Sequence, residues 1–185
     1  MLFTVYRSSL VGFALGLSAL VGSAQAADAM ILWPAGWEVE SLPATSESSG
    51  KPSIQLRQRA VKKDSTGEPS MIMELTQTRL TEGHEVNVQG VLLEMRKAIQ
   101  VNFARSGLQS ACTHAREVKL GGVPAMESTC TITQNGVHVM TQTLVAAATA
   151  QQAWSLSYAG SAQAFEASKP EVMSIRDSLR LGEAP

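Results

Sequence analysis

The chain has 185 residues, of which 44% are hydrophobic and 17% are charged, and its formal net charge is −1 at pH 7. A chain of this size can bury a hydrophobic core of its own. The near-neutral balance lacks the basic excess of nucleic-acid-binding proteins, so no nucleic acid is expected as a partner.

Residues 1–26 have the composition of a secretory signal peptide. The basic Arg7 precedes an apolar stretch from Leu10 to Val21, and Ala24-Gln25-Ala26 forms a small-residue cleavage site. The stretch is shorter than the about 20 residues that a membrane-spanning helix needs, so we expect no transmembrane segment after cleavage. The sequence therefore predicts a single domain, residues 27–185, that is exported to the periplasm or the extracellular medium.

Two tryptophans, Trp33 and Trp37, stand near the start of the predicted domain, on either side of Pro34-Ala35-Gly36. A turn at this point could present one indole to a protein partner. Packing at the edge of the core is the simpler interpretation of the pair.

Alternating apolar and polar residues predict two strands, Ser53 to Val61 and Ser70 to Gln77, joined by a polar connection over 62–69. Arg57 and Arg59 fall on one face of the first strand. They could meet an anionic lipid or an acidic protein, although a solvated strand face is the simpler interpretation.

An amphipathic helix is predicted from Asn87 to Ser106, and Gly107 suits its C-terminal end. The apolar stripe of this helix should lie on a sheet. Its members are Val88, Val91, Leu92, Met95, Ile99 and Phe103.

Cys112 and Cys130 are the two cysteines of the chain, and an even pair in an oxidising compartment is most simply a structural disulfide. Between them, Gly121-Gly122 can form a tight turn because glycine tolerates positive φ. The flanks, about 109–119 and 124–134, would then pair and bring Cys112 opposite Cys130. The hairpin and the disulfide thus support the same geometry.

Asn135-Gly136 is typical of a type I′ hairpin turn, whose two central residues need positive φ. We place Gln134 opposite Val137. In that register the predicted core-face pairs are Ile132 with Val139, Cys130 with Thr141 and Met126 with Val145. The predicted reverse face holds Glu127, Thr129, Thr131, Thr133, His138 and Gln142, together with Met140 and Leu144.

A last strand is predicted around the alternating residues Trp154, Leu156 and Tyr158. It is followed by a helix that should begin near Ser168, because Ser168 and Glu171 have the spacing of a capping box. The helix should end near Arg180. Its predicted inward residues are Val172, Ile175 and Leu179.

An antiparallel meander sheet with one helix in the middle of the chain and one at the end is typical of the α+β class. The opening Trp33-Pro34-Ala35-Gly36-Trp37, the central helix and the closing Ser174-Ile175-Arg176-Asp177-Ser178-Leu179 resemble the Mog1/PsbP/DcrB-like fold. Over about 30–181, the chain is also similar to small secreted proteins of unknown function from Pseudomonas-type bacteria, the DUF4946-like proteins. The resemblance implies an α/β/α sandwich, with helices on both sides of the sheet. It implies no activity, because relatives of that fold include photosystem accessory subunits and a small-GTPase-binding protein.

No motif in the sequence indicates catalysis, a cofactor or a metal site. His84, His114 and His138 are tens of residues apart and lack the spacing of zinc ligands. Methionines could join His138 as soft copper ligands, but the strand alternation puts most of them in the core, where methionine fills gaps. The methionines concerned are Met71, Met73, Met126 and Met140.

We therefore expect an exported, non-enzymatic module without a cofactor. It would bind an unknown protein or an apolar small ligand, either in a groove between sheet and helix or at the Trp33–Trp37 corner. Two alternatives stay open. One is a hydrolase with an unrecognised site, which would need a polar cleft where a serine or carboxylate meets a histidine. The other is a structural component of the cell envelope.

Overall fold

The computed structural model describes residues 29–44 and 51–181. The predicted signal peptide, residues 1–26, lies outside these ranges, and the boundaries of the predicted single domain stay a prediction. The described elements, in chain order, are β1 (Trp37–Ser41), β2 (Ser53–Lys63), β3 (Pro69–Arg79), α1 (Val88–Arg105), β4 (Gln109–Cys112), β5 (Arg116–Leu120), β6 (Val123–Gln134), β7 (Val137–Ala148), β8 (Gln152–Ser161) and α2 (Ala162–Ser178).

The eight described strands lie in one antiparallel sheet, in the order β1-β2-β3-β8-β7-β6-β4, with β5 also paired to β6. Helix α1 packs on β4, β6 and β7, whereas α2 packs on β3, β7 and β8. Successive side chains of a strand point to opposite faces. Leu144 packs in the core beneath α1 and Val145 in the core beneath α2, so the two helices cover opposite faces of the sheet. The predicted α+β class with helices on both sides is confirmed.

The predicted disulfide hairpin is confirmed. Gly121 and Gly122, with φ of 55° and 91°, connect β5 to β6, and Cys112 is bonded to Cys130 directly across the sheet. The strand that precedes this turn is interrupted at 113–115, between β4 and β5. The interruption shifts the register against β6 by one residue. This shift places Arg116 directly opposite Glu127.

The Asn135-Gly136 turn is also confirmed, with φ of 50° and 80° and Gln134 opposite Val137. The predicted pairing beyond the turn is wrong by one residue, because a β-bulge makes Val139 an extra residue in β7. The partners of Ile132, Cys130 and Met126 are therefore Met140, Gln142 and Ala146. The bulge turns Thr141 and Thr143, rather than Gln142 and Leu144, onto the same face as Glu127.

The two upstream strands are confirmed as β2 and β3, and each is 11 residues long. The connection between them is shorter than predicted and covers only 64–68. There Asp64 Oδ1 accepts hydrogen bonds from the backbone N–H groups of Thr66 and Glu68, at 2.8 and 3.1 Å. These bonds close the turn and let the strands extend further than their alternation indicates.

Helix α1 has almost the predicted bounds. The side chain of its N-cap Asn87 accepts a hydrogen bond from the Gly90 N–H at 3.0 Å, and Gly107 follows the helix with φ of 73°. Leu92 is the buried centre of the apolar stripe. The prediction that Val91 belongs to this stripe is wrong, because Val91 is exposed. Neighbouring residues of a helix point about 100° apart, so Val91 points away from the buried side of Leu92.

Helix α2 begins earlier than predicted, at Ala162, with Ser161 as its N-cap. The predicted start near Ser168 is wrong, although Val172, Ile175 and Leu179 are buried as expected. Proline in a helix interior costs about 3 kcal/mol, yet Pro170 lies inside α2. Phe165 lies in the first turn of α2, before Pro170, and its ring stacks on Tyr158 of β8. We attribute the longer helix to this contact.

Candidate functional site

A cavity of about 310 Å³ lies between α2 and the face of the sheet formed by β6, β7 and β8. We call it the α2 cavity. Its volume is at the small end of the range for small-molecule sites. The side chains around it include buried charges, threonine hydroxyls, a histidine and an aromatic pair, so the cavity combines polar and apolar walls.

The charged wall of the α2 cavity is centred on Glu127, whose side chain is 2% exposed. One carboxylate oxygen accepts a hydrogen bond from Arg176 of α2, which is 7% exposed, and the other accepts one from Arg116 of β5. Arg176 also donates to the backbone carbonyl of Lys119 at 3.3 Å. A buried carboxylate needs such partners, because an unpaired charge away from water is strongly unfavourable.

The aromatic wall consists of Tyr158 and Phe165, with ring centroids 5.8 Å apart and planes inclined by 16°. Burial raises the pKa of the Tyr158 phenol, and the negative charge of Glu127 adds to the shift. Hydrogen bonds to Thr143 and Arg176 act in the opposite direction but do not cancel it. The phenol is therefore a neutral group that can donate and accept hydrogen bonds at physiological pH.

The floor of the cavity is a ladder of threonines on two neighbouring strands. Thr129 lies opposite Thr143, with 2.9 Å between their hydroxyl oxygens, and Thr131 lies opposite Thr141. At the outer end, His138 Nε2 is 2.9 Å from Thr141 Oγ1 and 3.1 Å from the carbonyl oxygen of Met140. We call the four threonines the threonine ladder.

The mouth of the cavity carries Glu166 and Lys169 of α2, whose charged groups are 3.9 Å apart. Three cationic side chains, Arg116, Lys169 and Arg176, thus face two carboxylates, Glu127 and Glu166. With His138 neutral, the lining has a formal net charge of +1. This positive balance differs from the chain as a whole, which is slightly negative.

The structure places the predicted Trp33–Trp37 pair at the core. Trp37 is 8% exposed, its Nε1 donates to Glu171 at 3.1 Å, and the ring centroid of Trp33 lies 5.9 Å away. Trp33 is partly buried against the same core. These contacts account for the pair as packing, and a role in partner binding stays a prediction.

Arg57 and Arg59 do not line the α2 cavity and lie on the opposite face of β2 from the buried Ala60. Arg59 Nε is 3.7 Å from a carboxylate oxygen of Glu74 on β3, and Arg57 is exposed. A surface ion pair of this kind contributes little to stability. The predicted partner role of the two arginines stays a prediction.

Of the three histidines, only His138 lines the α2 cavity. Across residues 29–44 and 51–181, no three histidine, cysteine, aspartate or glutamate side chains come together so that they could hold a metal ion. The methionines considered as copper ligands are divided between the two faces of the sheet, with Met71 and Met73 in one core and Met126 and Met140 against the other. Neither described helix is long and apolar enough to cross a membrane.

A second, more open groove of about 580 Å³ lies beside the start of α1. Its walls include Val88, Val118 and Met126. This groove is mostly apolar, and it contains no buried charge or hydroxyl array comparable to those of the α2 cavity.

Sequence reasoning identified part of the α2 cavity and missed its centre. The strand alternation put Glu127 and the threonines of β6 on one polar face, which is the signal that could have located the site. The partner of Glu127 could not be found in this way, because Arg176 is 49 residues further along the chain. The Thr141 and Thr143 rungs were missed because the bulge at Val139 is not visible in the sequence.

Comparison with known proteins supports the fold. A family model described as "Domain of unknown function (DUF4946)" matches residues 28–181. The structure is similar to the solution structure of PsbP (CyanoP) from the cyanobacterium Synechocystis sp. PCC 6803, with a TM-score of 0.58 and 11% identity over 90% of this chain and 98% of that one. It is also similar to the crystal structure of LpqN, a protein involved in cell envelope biogenesis in Mycobacterium tuberculosis, with a TM-score of 0.52 and 17% identity over 84% and 83% of the two chains. No curated protein matches the sequence.

Proposed function

We propose that this chain, which belongs to the DUF4946 family, is an exported binding module that holds a small polar molecule in the α2 cavity. The Cys112–Cys130 disulfide is typical of proteins that fold outside the reducing cytoplasm. Together with the predicted leader, it supports a periplasmic or extracellular location. The proposed ligand is a polar small molecule, whereas the sequence led us to expect an unknown protein or an apolar small ligand.

The observation that carries the proposal is the buried Glu127–Arg176 pair in the wall of an open cavity. A buried ion pair contributes little net stability, because desolvation of both charges offsets their attraction. Apolar residues of similar volume can often replace such a pair without loss of stability. The pair instead provides a fixed polar surface next to hydroxyl groups, which is what recognition of a polar molecule requires.

Binding accounts for the arrangement better than hydrolysis, which is the second candidate because titratable groups do cluster in this cleft. A general base must accept a proton. His138 Nε2 faces the Met140 carbonyl, which can only accept, and this favours a proton on Nε2 that is also donated to Thr141. Both oxygens of Glu127 are occupied by arginines. The Glu127 carboxylate and His138 Nε2 are therefore engaged, and a hydrolase would have to use His138 Nδ1 or the exposed Glu166 at the mouth.

The test is native mass spectrometry of the protein purified from its own periplasm or culture medium. We expect a reproducible added mass on the wild-type protein. The cavity-blocking variant Thr131→Trp, which places an indole over the threonine ladder, should lose that mass. The matched control Thr76→Trp replaces a threonine of β3 on the face of the sheet opposite to the cavity, and it should keep the added mass.

Two results would overturn the proposal. One is an added mass that both tryptophan variants retain, which would put the ligand elsewhere. The other is the absence of any added mass combined with no detectable binding of small polar fragments to the purified protein by NMR. Turnover of an ester or glycoside substrate by the wild type, lost in the Thr141→Val variant, would favour the hydrolase instead.

A further inference from the structure

We infer that the ligand of the α2 cavity is a single-ring sugar acid, with its hydroxyl groups on the threonine ladder and its carboxylate on Arg116. This inference rests on the proposed binding function and specifies the chemistry of the ligand. Three features of the cavity support it: an arginine with donors to spare, a floor of hydroxyl groups and a small volume.

Arg116 and Lys169 are the exposed cations of the cavity, and Arg116 is the one whose planar guanidinium can offer paired donors to a ligand. Its side chain is 70% exposed, and its contact with Glu127 uses a single terminal nitrogen, Nη2. A guanidinium has five N–H donors, so others remain for a second acceptor. Arg176, in contrast, is buried and bonded to both Glu127 and the Lys119 carbonyl. Since the lining has a formal charge of +1, one negative charge on the ligand would neutralise it.

A carboxylate fits Arg116 because the planar guanidinium can donate two parallel hydrogen bonds to its two oxygens. Glu127 lies directly opposite Arg116 in the sheet and already neutralises Arg176. The carboxylate of a ligand bound to Arg116 would therefore complete an alternating series of two arginines and two carboxylates, which runs from Arg176 through Glu127 and Arg116 to the ligand. A cationic ligand would instead be repelled by the excess positive charge.

The threonine ladder explains why the ligand should carry several hydroxyl groups. A hydroxyl can donate one hydrogen bond and accept two. Thr143 is hydrogen-bonded to both Thr129 and Tyr158, and the hydroxyls of Thr129 and Thr143 keep lone pairs that can accept from a ligand hydroxyl. Sugar hydroxyls have the same dual capacity, whereas an apolar molecule would bury these groups without partners at a cost in free energy.

The size and the apolar wall of the cavity favour one ring. The volume of about 310 Å³ is too small for an extended oligosaccharide. Phe165 of α2, which is 8% exposed, is the accessible edge of an apolar region beside the ladder, with Val172 and Met71 buried behind it. A pyranose has one apolar C–H face and a polar edge, which matches a site where these surfaces adjoin.

The experiment is a titration of the mature protein with D-glucuronate, D-glucose and acetate, followed by calorimetry and by amide NMR shifts. Glucuronate should bind in the cavity about tenfold or more tightly than glucose, because a charge-assisted hydrogen bond to Arg116 is present only with the acid. Acetate, which lacks the ring, should bind more weakly than glucuronate.

The Arg116→Gln variant should bind glucuronate no more tightly than glucose, and Arg116→Lys should bind it with intermediate affinity. Arg57→Gln is the matched control, since Arg57 is a strand arginine on the opposite face of the sheet, and its affinity should equal that of the wild type. Circular dichroism of each variant checks that the fold is retained.

Equal affinities for glucuronate and glucose in the wild-type protein would overturn the inference, whatever the variants do. So would an Arg116→Gln variant that retains the preference for the acid. If the sugars do not bind but other polar fragments bind in the cavity, the sugar-acid inference fails while the proposed binding function stands. If no fragment binds there, the proposed function fails as well.

Discussion

Arg176 of α2 pairs with Glu127 of β6 although the two residues are 49 positions apart and both are almost completely buried. This pair joins the last helix to the centre of the sheet. It also forms the wall of the α2 cavity, so the stability of the domain and the chemistry of the candidate site depend on the same two side chains.

Removal of one member of this pair should be strongly destabilising. We expect Arg176→Met to lower the free energy of unfolding by about 3 kcal/mol, because it leaves the buried carboxylate with the exposed Arg116 as its remaining cation partner. Urea denaturation measures the loss. The double variant Glu127→Gln/Arg176→Met should be less destabilised than the sum of the two single variants. Strictly additive losses would show that the two side chains are not energetically coupled.

Tyr158 should titrate above the ordinary tyrosine range. The chain has two tyrosines, and Tyr6 falls in the predicted leader, so ultraviolet titration of the mature protein reports Tyr158 alone. Burial and the charge of Glu127 raise the pKa of Tyr158 above 10.0 in the folded protein. The Glu127→Gln variant should lower this pKa towards 10.0 without reaching it, because burial remains.

The raised pKa of Tyr158 also predicts the alkaline behaviour of the fold. The unfolded chain releases the phenolic proton near pH 10, before the folded protein does. The contribution of Tyr158 to stability is therefore complete below pH 10 and is lost as the pH rises through the folded-state pKa. A Tyr158 pKa at or below 10 in the native protein would contradict the burial described here.

Glu171 should make the fold sensitive to acid. Its carboxylate accepts hydrogen bonds from Lys62 of β2 and from Trp37 Nε1, and these bonds lower its pKa below 4.5. A lowered folded-state pKa contributes stability above pH 4.5, which is lost as the pH falls through the folded-state value. The contribution is modest because the group is partly exposed.

Measurement of unfolding free energy from pH 7 to pH 3 tests the role of Glu171. The wild type should lose more stability in the acid range than Glu171→Gln, which cannot titrate at this position. Glu94→Gln is the control, because Glu94 is an exposed residue of α1 with a weak contact to Lys97. If Glu171→Gln has the same acid profile as the wild type, the Lys62–Glu171 pair does not set it.

Gly160 should not tolerate a side chain. A Cβ at this position would lie 2.7 Å from the Ser70 carbonyl oxygen and would collide with the Met71 sulfur. We expect Gly160→Ala to destabilise the protein by about 1–3 kcal/mol through overpacking. Gly90→Ala is the contrasting substitution. It lies in the first turn of α1, where alanine is favoured over glycine but the added Cβ would lie 3.3 Å from Cγ of the capping Asn87, so its effect on stability should be smaller than that of Gly160→Ala.

The Cys112–Cys130 disulfide should contribute about 3 kcal/mol, since it closes a loop of 18 residues in the unfolded chain. The double variant Cys112→Ala/Cys130→Ala should show this loss in thermal or urea unfolding. The oxidised native protein should also contain no thiol that reacts with an alkylating agent. Two reactive thiols in the native protein would contradict the pairing.

Local signals in the sequence predicted most of the fold. The glycine turn at Gly121-Gly122 and the Asn135-Gly136 turn are correct because their geometry depends on positive φ, which few other residues adopt. The opposition of Cys112 and Cys130 was predicted from the cysteine pair together with the first turn, and it holds because the interruption at 113–115 shifts the register of that turn by one residue. For the two turns themselves, the chemistry of neighbouring residues was sufficient.

The errors arose where distant contacts decide the structure. The register of β7 is shifted by the bulge at Val139, which no turn residue marks. Helix α2 begins at the Ser161 cap, whose Oγ accepts a hydrogen bond from the Ala164 N–H. Its first turn packs Phe165 against Tyr158, so the capping-box spacing at Ser168 does not mark the start. The candidate site lies where these two errors meet, so only half of its threonine ladder was assigned to the correct face.

The most direct test of the central claim, that the α2 cavity is the binding site, is an amide NMR map of the mature protein screened against small polar fragments. We predict that the largest shifts fall on Thr129, Thr143, Arg116 and the facing turn of α2. Shifts confined to the Trp33–Trp37 corner, or to the apolar groove beside Val88, would contradict the account.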